Sequence, residues 1–233
     1  MAVNLLILAA GRGSRLGKLT EKVPKCLNIY EGKPLIGYIL EAAERIKEIG
    51  KVVIVGGYKS KMLDGIGDTL VENRDWETTG TFGSMICANE FLSESPTIVC
   101  YSDIIFSDDF FHSCIEESWD IFLPSNKNFK ESWQNREIDI LDDLESFRKR
   151  GNRLIEIGNR PSSVDEVQGQ FAGIFRLNPE GWFKLKGVGN SSLNRMLDTT
   201  TLLSLALSHQ VQIHTKDVEG FWREFDNPYD FMY

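Results

Sequence analysis

The chain is short of the residues that commit a protein to disulfide, zinc or nucleic-acid chemistry. Its four cysteines, Cys26, Cys87, Cys100 and Cys114, contain no C-x-x-C pair, and His112, His209 and His214 form no ligand pattern. Buried, reduced thiols are therefore expected. No apolar run approaches the roughly 20 residues needed to span a membrane. The start shows no charged segment followed by a long apolar one and a small-residue cleavage site. These absences predict a cytoplasmic protein without a membrane partner. Lys and Arg number 26 against 34 Asp and Glu, a formal charge of −8, so no extended basic face is available to nucleic acid. Repeats, low-complexity tracts and linkers are missing too. With 233 residues, 42% of them hydrophobic, the chain can bury a sizeable core, and a single domain spanning 1–233 is expected.

What is present is concentrated at the beginning. Val3 to Ala10 is an apolar run, broken only by Asn4 near its start, that ends in Gly11-Arg12-Gly13-Ser14-Arg15. Such a run bounded by glycine reads as a strand buried on both faces of a parallel sheet. The glycines permit positive φ and close backbone approach, so several N–H groups can face one anion. From Gly11 to Lys25 stand five basic residues, Arg12, Arg15, Lys18, Lys22 and Lys25, and one acidic residue, Glu21. This is a phosphate-binding loop at the carboxyl end of a first strand. It is not a P-loop, because Arg12 stands where the first glycine is required and Leu19 replaces the hydroxyl. Nor is it a dinucleotide fingerprint, which would need glycine at Leu16.

The remainder alternates strand and helix. Lys25 to Ile29 is predicted to form a short strand, and a helix should begin with Pro34 and run to about Glu48. Lys51 to Val55 is a second buried strand, which makes a right-handed βαβ unit. Helices are expected near Lys59 to Ile66 and from Phe82 to Phe91, with strands at Thr69 to Glu72 and Thr97 to Tyr101. Ligands of open α/β sheets sit beyond the carboxyl ends of strands, so Gly11, Tyr58 and Asp103 should line one crevice. Further strands are expected at Trp119 to Leu123 and Phe171 to Leu177, and a hairpin should turn at Gly151-Asn152. A short helix from Pro179 to about Lys186, helix near 193–208 and extended chain at Val211 to His214 complete the pattern. Three segments result, about 1–123, 124–215 and 216–233.

The residue types suit nucleotidyl transfer, the in-line attack of a phosphate or phosphonate oxygen on the α-phosphorus of a nucleoside triphosphate. The nucleophile is largely ionised at neutral pH, since a second phosphate pKa lies near about 6. No general base is needed. The difficulty is bringing two anions together, which calls for fixed cations and Mg²⁺. Arg15 suits the β- and γ-phosphates, and Lys25 the α-phosphate and incoming group. Lys22 is an accessory candidate. Asp103, which caps an apolar strand, is the first metal candidate. In Trp222-Arg-Glu-Phe-Asp226 the two carboxylates alternate with aromatics and so share one face. Asp226 is the second candidate, with Glu224 in support.

The opening LAAGRGSRL and PKCL resemble the signature of nucleotidyltransferases that make nucleoside-diphosphate-activated sugars and alcohols. With Tyr101-Ser102-Asp103, the closing W-x-E-x-D and Glu72 to Trp76 with Thr79 to Ser84, the chain is similar to the small bacterial cytidylyltransferases acting on phosphocholine, 2-aminoethylphosphonate and related acceptors. That resemblance implies an α/β three-layer sandwich with a mostly parallel mixed sheet, the GT-A-like nucleotidyltransferase fold, and a hairpin-rich acceptor lid. It implies a catalytic Arg15 and Lys25, Mg²⁺ on Asp103 and Asp226, and a nucleotide held by Leu8, Ala10, Gly11, Gly13, Ser14, Arg15, Tyr58, Asn73 and Ser84. CTP and a small anionic phosphonate or phosphoester are the expected partners. The long C-terminal β-helix of the sugar-nucleotide enzymes is absent from this sequence, which leaves a monomer or small homo-oligomer as the expectation.

Acceptor choice falls in the second half. Arg136 could grip the acceptor anion, Gln170 could hydrogen-bond it, and Trp222, with Trp133 and Phe171, could wall a cationic head group. Two rivals remain open at the level of sequence: a sugar-1-phosphate nucleotidyltransferase using UTP, dTTP or GTP, and a non-catalytic nucleotide-binding regulator.

Overall fold

The computed structural model describes residues 2–133, 141, 144–192 and 196–232. The strands are β1 (Val3–Ala9), β2 (Ile29–Tyr30), β3 (Lys33–Pro34), β4 (Ile49–Gly56), β5 (Thr69–Glu72), β6 (Thr97–Tyr101) and β7 (Ile104–Phe106). They continue with β8 (Ile121–Asn126), β9 (Phe147–Arg150), β10 (Arg153–Ile157), β11 (Gln170–Phe171), β12 (Ile174–Leu177), β13 (His214–Val218) and β14 (Trp222–Glu224). The helices are α1 (Leu35–Glu44), α2 (Thr81–Cys87), α3 (Asn89–Glu94), α4 (Asp109–Glu116), α5 (Phe129–Trp133), α6 (Pro179–Ser191) and α7 (Thr199–Ser208).

One mixed sheet of ten strands organises the molecule, in the order β5-β4-β1-β6-β12-β8-β13-β10-β9, with β11 on β8. Following the pairings from β1, only β10, β11 and β12 run against the other strands. The sheet is therefore mostly parallel in direction, as the βαβ pattern implied. Alternation along β1 explains its apolar run from Leu5 onward. Leu5, Ile7 and Ala9 face a core closed by Ile36 and Ile39 of α1 and Phe110 and Phe111 of α4. Leu6 and Leu8 face the opposite core, closed by Met85, Leu92, Trp182 and Leu203 from α2, α3, α6 and α7. Both faces are dry from Leu5 to Ala9, so each of those positions must be apolar, whereas Asn4 before them is half-buried. The result is a three-layer sandwich.

Local chemistry sets the ends of several elements. Asn178 accepts a hydrogen bond from Gly181 N at 2.9 Å, and Pro179 follows as the first residue of α6. Asp198 accepts from Thr201 N at 2.7 Å to start α7.

Other expectations are corrected. Lys25–Leu27 is a 3₁₀ turn rather than the start of a strand, because Asn28 Nδ2 donates to the carbonyls of Pro24 and Lys25 and curls the chain. Pro34 is extended and pairs with Ile29, so α1 starts one residue later, and it ends at Glu44. The helix expected from Phe82 to Phe91 is two, broken at Ala88, whose φ of −95° and ψ of 18° are not helical. The strand expected from Phe171 to Leu177 divides at Ala172-Gly173. Its first part pairs with β8 and its second with both β6 and β8, and Gly173 turns the chain between them at φ +70°. The strand expected at Val211 to His214 begins only at His214. The Gly151-Asn152 hairpin forms as read, and its strands extend the same sheet beyond β13.

Phe175 on β12 is fully buried at the centre of the sheet. Phe175→Ala is expected to cost about 3–5 kcal/mol, measured as a lowered urea midpoint at unchanged m-value.

Candidate active site

The carboxyl end of β1 leads into the glycine loop, which folds back on itself. Gly13 adopts φ +67°, and Ser14–Thr20 follows as a 3₁₀ helix interrupted at Gly17. Thr20, fully buried, donates through Oγ1 to the carbonyl of Gly13 at 3.1 Å and of Gly17 at 3.3 Å. Tyr58, at the end of β4, braces the loop from the other side. Its N–H donates to Ala10 O at 2.8 Å, and its hydroxyl lies 2.8 Å from Thr20 O and 3.0 Å from Glu21 O.

β6 ends at Tyr101, and Ser102-Asp103 turns the chain out of the main sheet into β7. β7 pairs antiparallel with β14, placing Glu224 opposite Ile104. The next backbone bond, Phe225 N to Asp103 O at 3.0 Å, continues that register. Asp226 therefore arrives beside Asp103 although the two are far apart in sequence. Asp230 holds the far side of the turn. It is buried, and its Oδ2 accepts from the N–H of Asp226 at 2.7 Å and of Asn227 at 2.8 Å.

Lys25 joins the two halves. Its ammonium lies 2.5 Å from Asp103 Oδ2 and 2.6 Å from Asp226 Oδ1, and the residue is only 9% exposed. Arg15 Nη2 reaches the same Asp226 Oδ1 at 3.0 Å. Burial by itself would lower the Lys25 pKa. The charges of Asp103 and Asp226, and the hydrogen bonds to them, outweigh burial and hold it above the ordinary lysine value. The neighbouring Cys26 thiol is pushed up to about 12 by burial and by the charge of Asp103, so it stays protonated and supplies no nucleophile.

Gly13 is required by this arrangement. A Cβ there would stand 2.8 Å from Lys25 Cδ, and the positive φ already disfavours any side chain.

The sequence candidates are distributed as follows. Arg15, Lys25, Asp103 and Asp226 meet directly. Ala10 and Tyr58 are joined by a backbone bond at the root of the glycine loop, Gly13 lies against the Lys25 stem, and Gly11 and Ser14 are exposed on the same loop. Leu8 is buried in the core against the sheet rather than set in the loop. Lys18 and Lys22 are exposed on the loop. Asn73 and Ser84 lie together one strand further out, buried, with Asn73 Nδ2 donating to Ser84 Oγ at 3.1 Å and Thr79 Oγ1 at 3.0 Å. Gln170 is half-buried opposite Asn126 on β8, and Phe171 packs edge-on to Tyr101 at 5.9 Å.

Trp222 requires a correction. It is 4% exposed and its indole N–H donates to Ala172 O at 2.9 Å, so it packs the closing segment and offers no wall to a head group. Arg136 lies outside the described residues, as does the side chain of Trp133.

Two contributors were not singled out in the sequence. Asp230 had a readable signal, since Asn227-Pro228-Tyr229-Asp230 has the spacing of a capping box, and that box is present. Arg223 had none: its guanidinium lies over Tyr30 and Phe225, 5.0 and 5.1 Å from the ring centres.

The two carboxylates fit a hard divalent cation. Both already converge on one positive point, the Lys25 ammonium, and such ions take one or two carboxylates plus substrate phosphates. Among the described residues no group of three or more His, Cys, Asp or Glu gathers, here or elsewhere, so the candidate ligands are this pair alone, and no helix is long and apolar enough to cross a membrane.

Comparison with known proteins agrees with this geometry. Residues 5–149 match the family described as MobA-like NTP transferase domain. The CTP:phosphoglutamine cytidylyltransferase of Campylobacter jejuni is 28% identical over 76% of this chain and 73% of its own length. The bifunctional protein GlmU of Methanococcus maripaludis is 24% identical over 99% of this chain, which spans about half (53%) of that longer protein. The inositol-1-phosphate CTP transferase of T. maritima superposes with a TM-score of 0.78 at 20% identity, over 98% of this chain and 91% of the other.

Removing the central cation should expose the repulsion it neutralises. Lys25→Met is expected to cost about 3–5 kcal/mol at neutral pH, read from urea unfolding. Because the folded Lys25 pKa lies above the unfolded value, its stabilisation is complete below the ordinary lysine value of 10.5. It is lost only as pH rises through the folded pKa.

Proposed function

Because this chain belongs to the MobA-like NTP transferase domain family, and is therefore a nucleotidyltransferase, we propose that it is a CTP-dependent cytidylyltransferase. Its acceptor is a small phosphonate or phosphomonoester, converted to the CMP-activated form with release of pyrophosphate. The observation that carries the reading is the meeting of Arg15 and Lys25 with Asp103 and Asp226 at the mouth of β1. The choice of CTP is supported by similarity to the relative named as a phosphoglutamine cytidylyltransferase.

In the proposed reaction an acceptor oxygen attacks the α-phosphorus, a new P–O bond forms, and the bond to the β-phosphate oxygen breaks. Lys25 sits where it can turn to the α-phosphate. The more exposed Arg15 can follow the β- and γ-phosphates as they leave. Both act on charge that accumulates along the reaction, which is where fixed cations contribute most. Mg²⁺, held by Asp103 and Asp226, would neutralise phosphate charge when bound. No protein base is called for, since the acceptor dianion is itself the nucleophile. Buried Asn73, linked to Ser84 and Thr79, fixes the outer loop against which the base would rest. Gln170, on the acceptor side with Phe171 and Tyr101, is proposed to hydrogen-bond the acceptor. The segments 1–123, 124–215 and 216–233 then work as one unit, supplying nucleotide site, acceptor site and second carboxylate.

Pyrophosphate release should be measured with CTP, UTP, dTTP and GTP against phosphocholine, 2-aminoethylphosphonate, phosphorylated amino acids and sugar-1-phosphates. CTP with a phosphonate or non-sugar phosphoester is expected to be best; preference for UTP or dTTP with a sugar phosphate would overturn the base and acceptor assignments. Asp103→Asn and Gly13→Ala should each lower kcat by about 10²-fold or more while circular dichroism stays unchanged. With a phosphomonoester, kcat/KM should fall about tenfold per pH unit below about pH 6, as the acceptor takes up its second proton.

A further inference from the structure

We propose that Lys25 is a placeholder for the metal: in the free enzyme its ammonium closes the Asp103/Asp226 site, and the nucleoside triphosphate opens that site by drawing Lys25 away. This rests on the functional reading above and adds to it an order of events and a coupling between the two ligands.

The geometry leaves little alternative use for the space between the carboxylates. One nitrogen lies 2.5 and 2.6 Å from oxygens of both, the distances of close charge-assisted hydrogen bonds. Both carboxylates are mostly shielded, with side-chain exposures of 18% for Asp103 and 10% for Asp226. A divalent cation binding both groups needs the position that the ammonium fills.

The charges also match. Asp103 and Asp226 carry two negative charges, and Lys25 and Arg15 answer them with two positive ones. A divalent metal brings two positive charges to the pair and so can take the place of the buried ammonium, while Arg15, its side chain 60% exposed, holds its charge largely in solvent. Metal and ammonium together would crowd like charges into one site. The displaced ammonium needs a new anion. A triphosphate at the glycine loop supplies several, within reach of the same two side chains.

Lys25 also has a surface to move along. Its aliphatic stem crosses Gly13, where a Cβ would come within 2.8, 3.1 and 3.2 Å of its Cδ, Cβ and Cγ. The loop that is to receive phosphate is thus in contact with the stem of the side chain that holds the metal site shut. Triphosphate at the loop and metal at the carboxylates must then help one another, and reciprocally. Metal alone meets a closed site.

The test is binding of Mn²⁺ to the intact protein without nucleotide, followed by electron paramagnetic resonance of the free ion. Wild type should bind Mn²⁺ weakly, and Asp103→Asn should leave that residual affinity unaltered, because the free protein does not use the carboxylate for metal. Lys25→Met should bind Mn²⁺ about tenfold or more tightly than wild type, and Lys25→Arg, which keeps the charge, should stay weak. Mn²⁺ should also raise the melting temperature of Lys25→Met more than that of wild type. A tenfold loss of Mn²⁺ affinity in Asp103→Asn would overturn the proposal. So would equal affinity in wild type and Lys25→Met. If Lys25→Met does not fold, Lys25→Gln is measured in its place and judged by the same two outcomes. CTP binding in EDTA, measured in parallel, belongs to the functional reading: its absence would count against a nucleotide site and leave the Mn²⁺ results to judge the closed carboxylate pair.

Discussion

Two carboxylates that share one cation form the constraint on which the rest of the structure depends. Asp103 comes from the middle of the chain and Asp226 from its end, and both are nearly out of solvent. Left alone, they would repel strongly. They stay together because backbone pairing enforces it: β7 lies against β14, Phe225 N donates to Asp103 O, and Asp230 pins the N–H of Asp226. Lys25 completes the balance from a third segment. The glycine loop, the two-stranded ribbon and the closing turn are three local solutions to one electrostatic problem.

A net-negative protein that must receive a triphosphate has to keep its cations from being neutralised by its own acids. Several lysines and arginines are spent on surface ion pairs, such as Arg45 with Asp108 and Lys184 with Asp120. These are exposed and contribute little to stability. The loop cations differ in where their partners sit. Arg15 and Lys25 are paired with two carboxylates that meet at the end of β1. In the proposed reaction the same charges would serve the fold before a phosphate binds and the transfer after it.

How much of this could be read from sequence depended on the range of the interaction. β1, the βαβ unit, β6 and the Gly151-Asn152 hairpin were legible because apolar periodicity and turn residues act within a few positions. Arg15, Lys25 and Asp103 were legible because they stand at strand ends, beside a loop whose composition already implied an anion. Asp226 required one step more, the shared face of an extended segment. Local signals that compete were harder. Lys25–Leu27 was expected to be extended, and the side chain of Asn28 turned it into a 3₁₀ bend. The break at Ala172-Gly173 follows from a strand that serves two neighbours, which no local pattern encodes. Trp222 shows the limit most clearly. An aromatic beside two acids reads equally well as a binding wall or as core, and only its hydrogen bond to Ala172 O and its burial decide for core.

That bond also links the two halves of the site. Ala172 lies at the break between β11, which carries Gln170 and Phe171 beside β8, and β12, which pairs with β6 just before Asp103. Trp222 ties the same break to the segment that delivers Asp226. Tyr101 N donates to Gly173 O at 2.8 Å, and a Cβ on Gly173 would meet the Tyr101 ring at 3.1 Å. The acceptor-side strand, the first carboxylate and the second are therefore fastened to one backbone bend. On the proposed reading, a change of side chain at Gln170 would alter what the acceptor face recognises and leave the carboxylate pair in place. A change at Gly173 would act on both, because its φ of +70° and its closeness to the Tyr101 ring set the bend. Specificity would then vary along β11, while the bend that joins it to the carboxylates stays fixed.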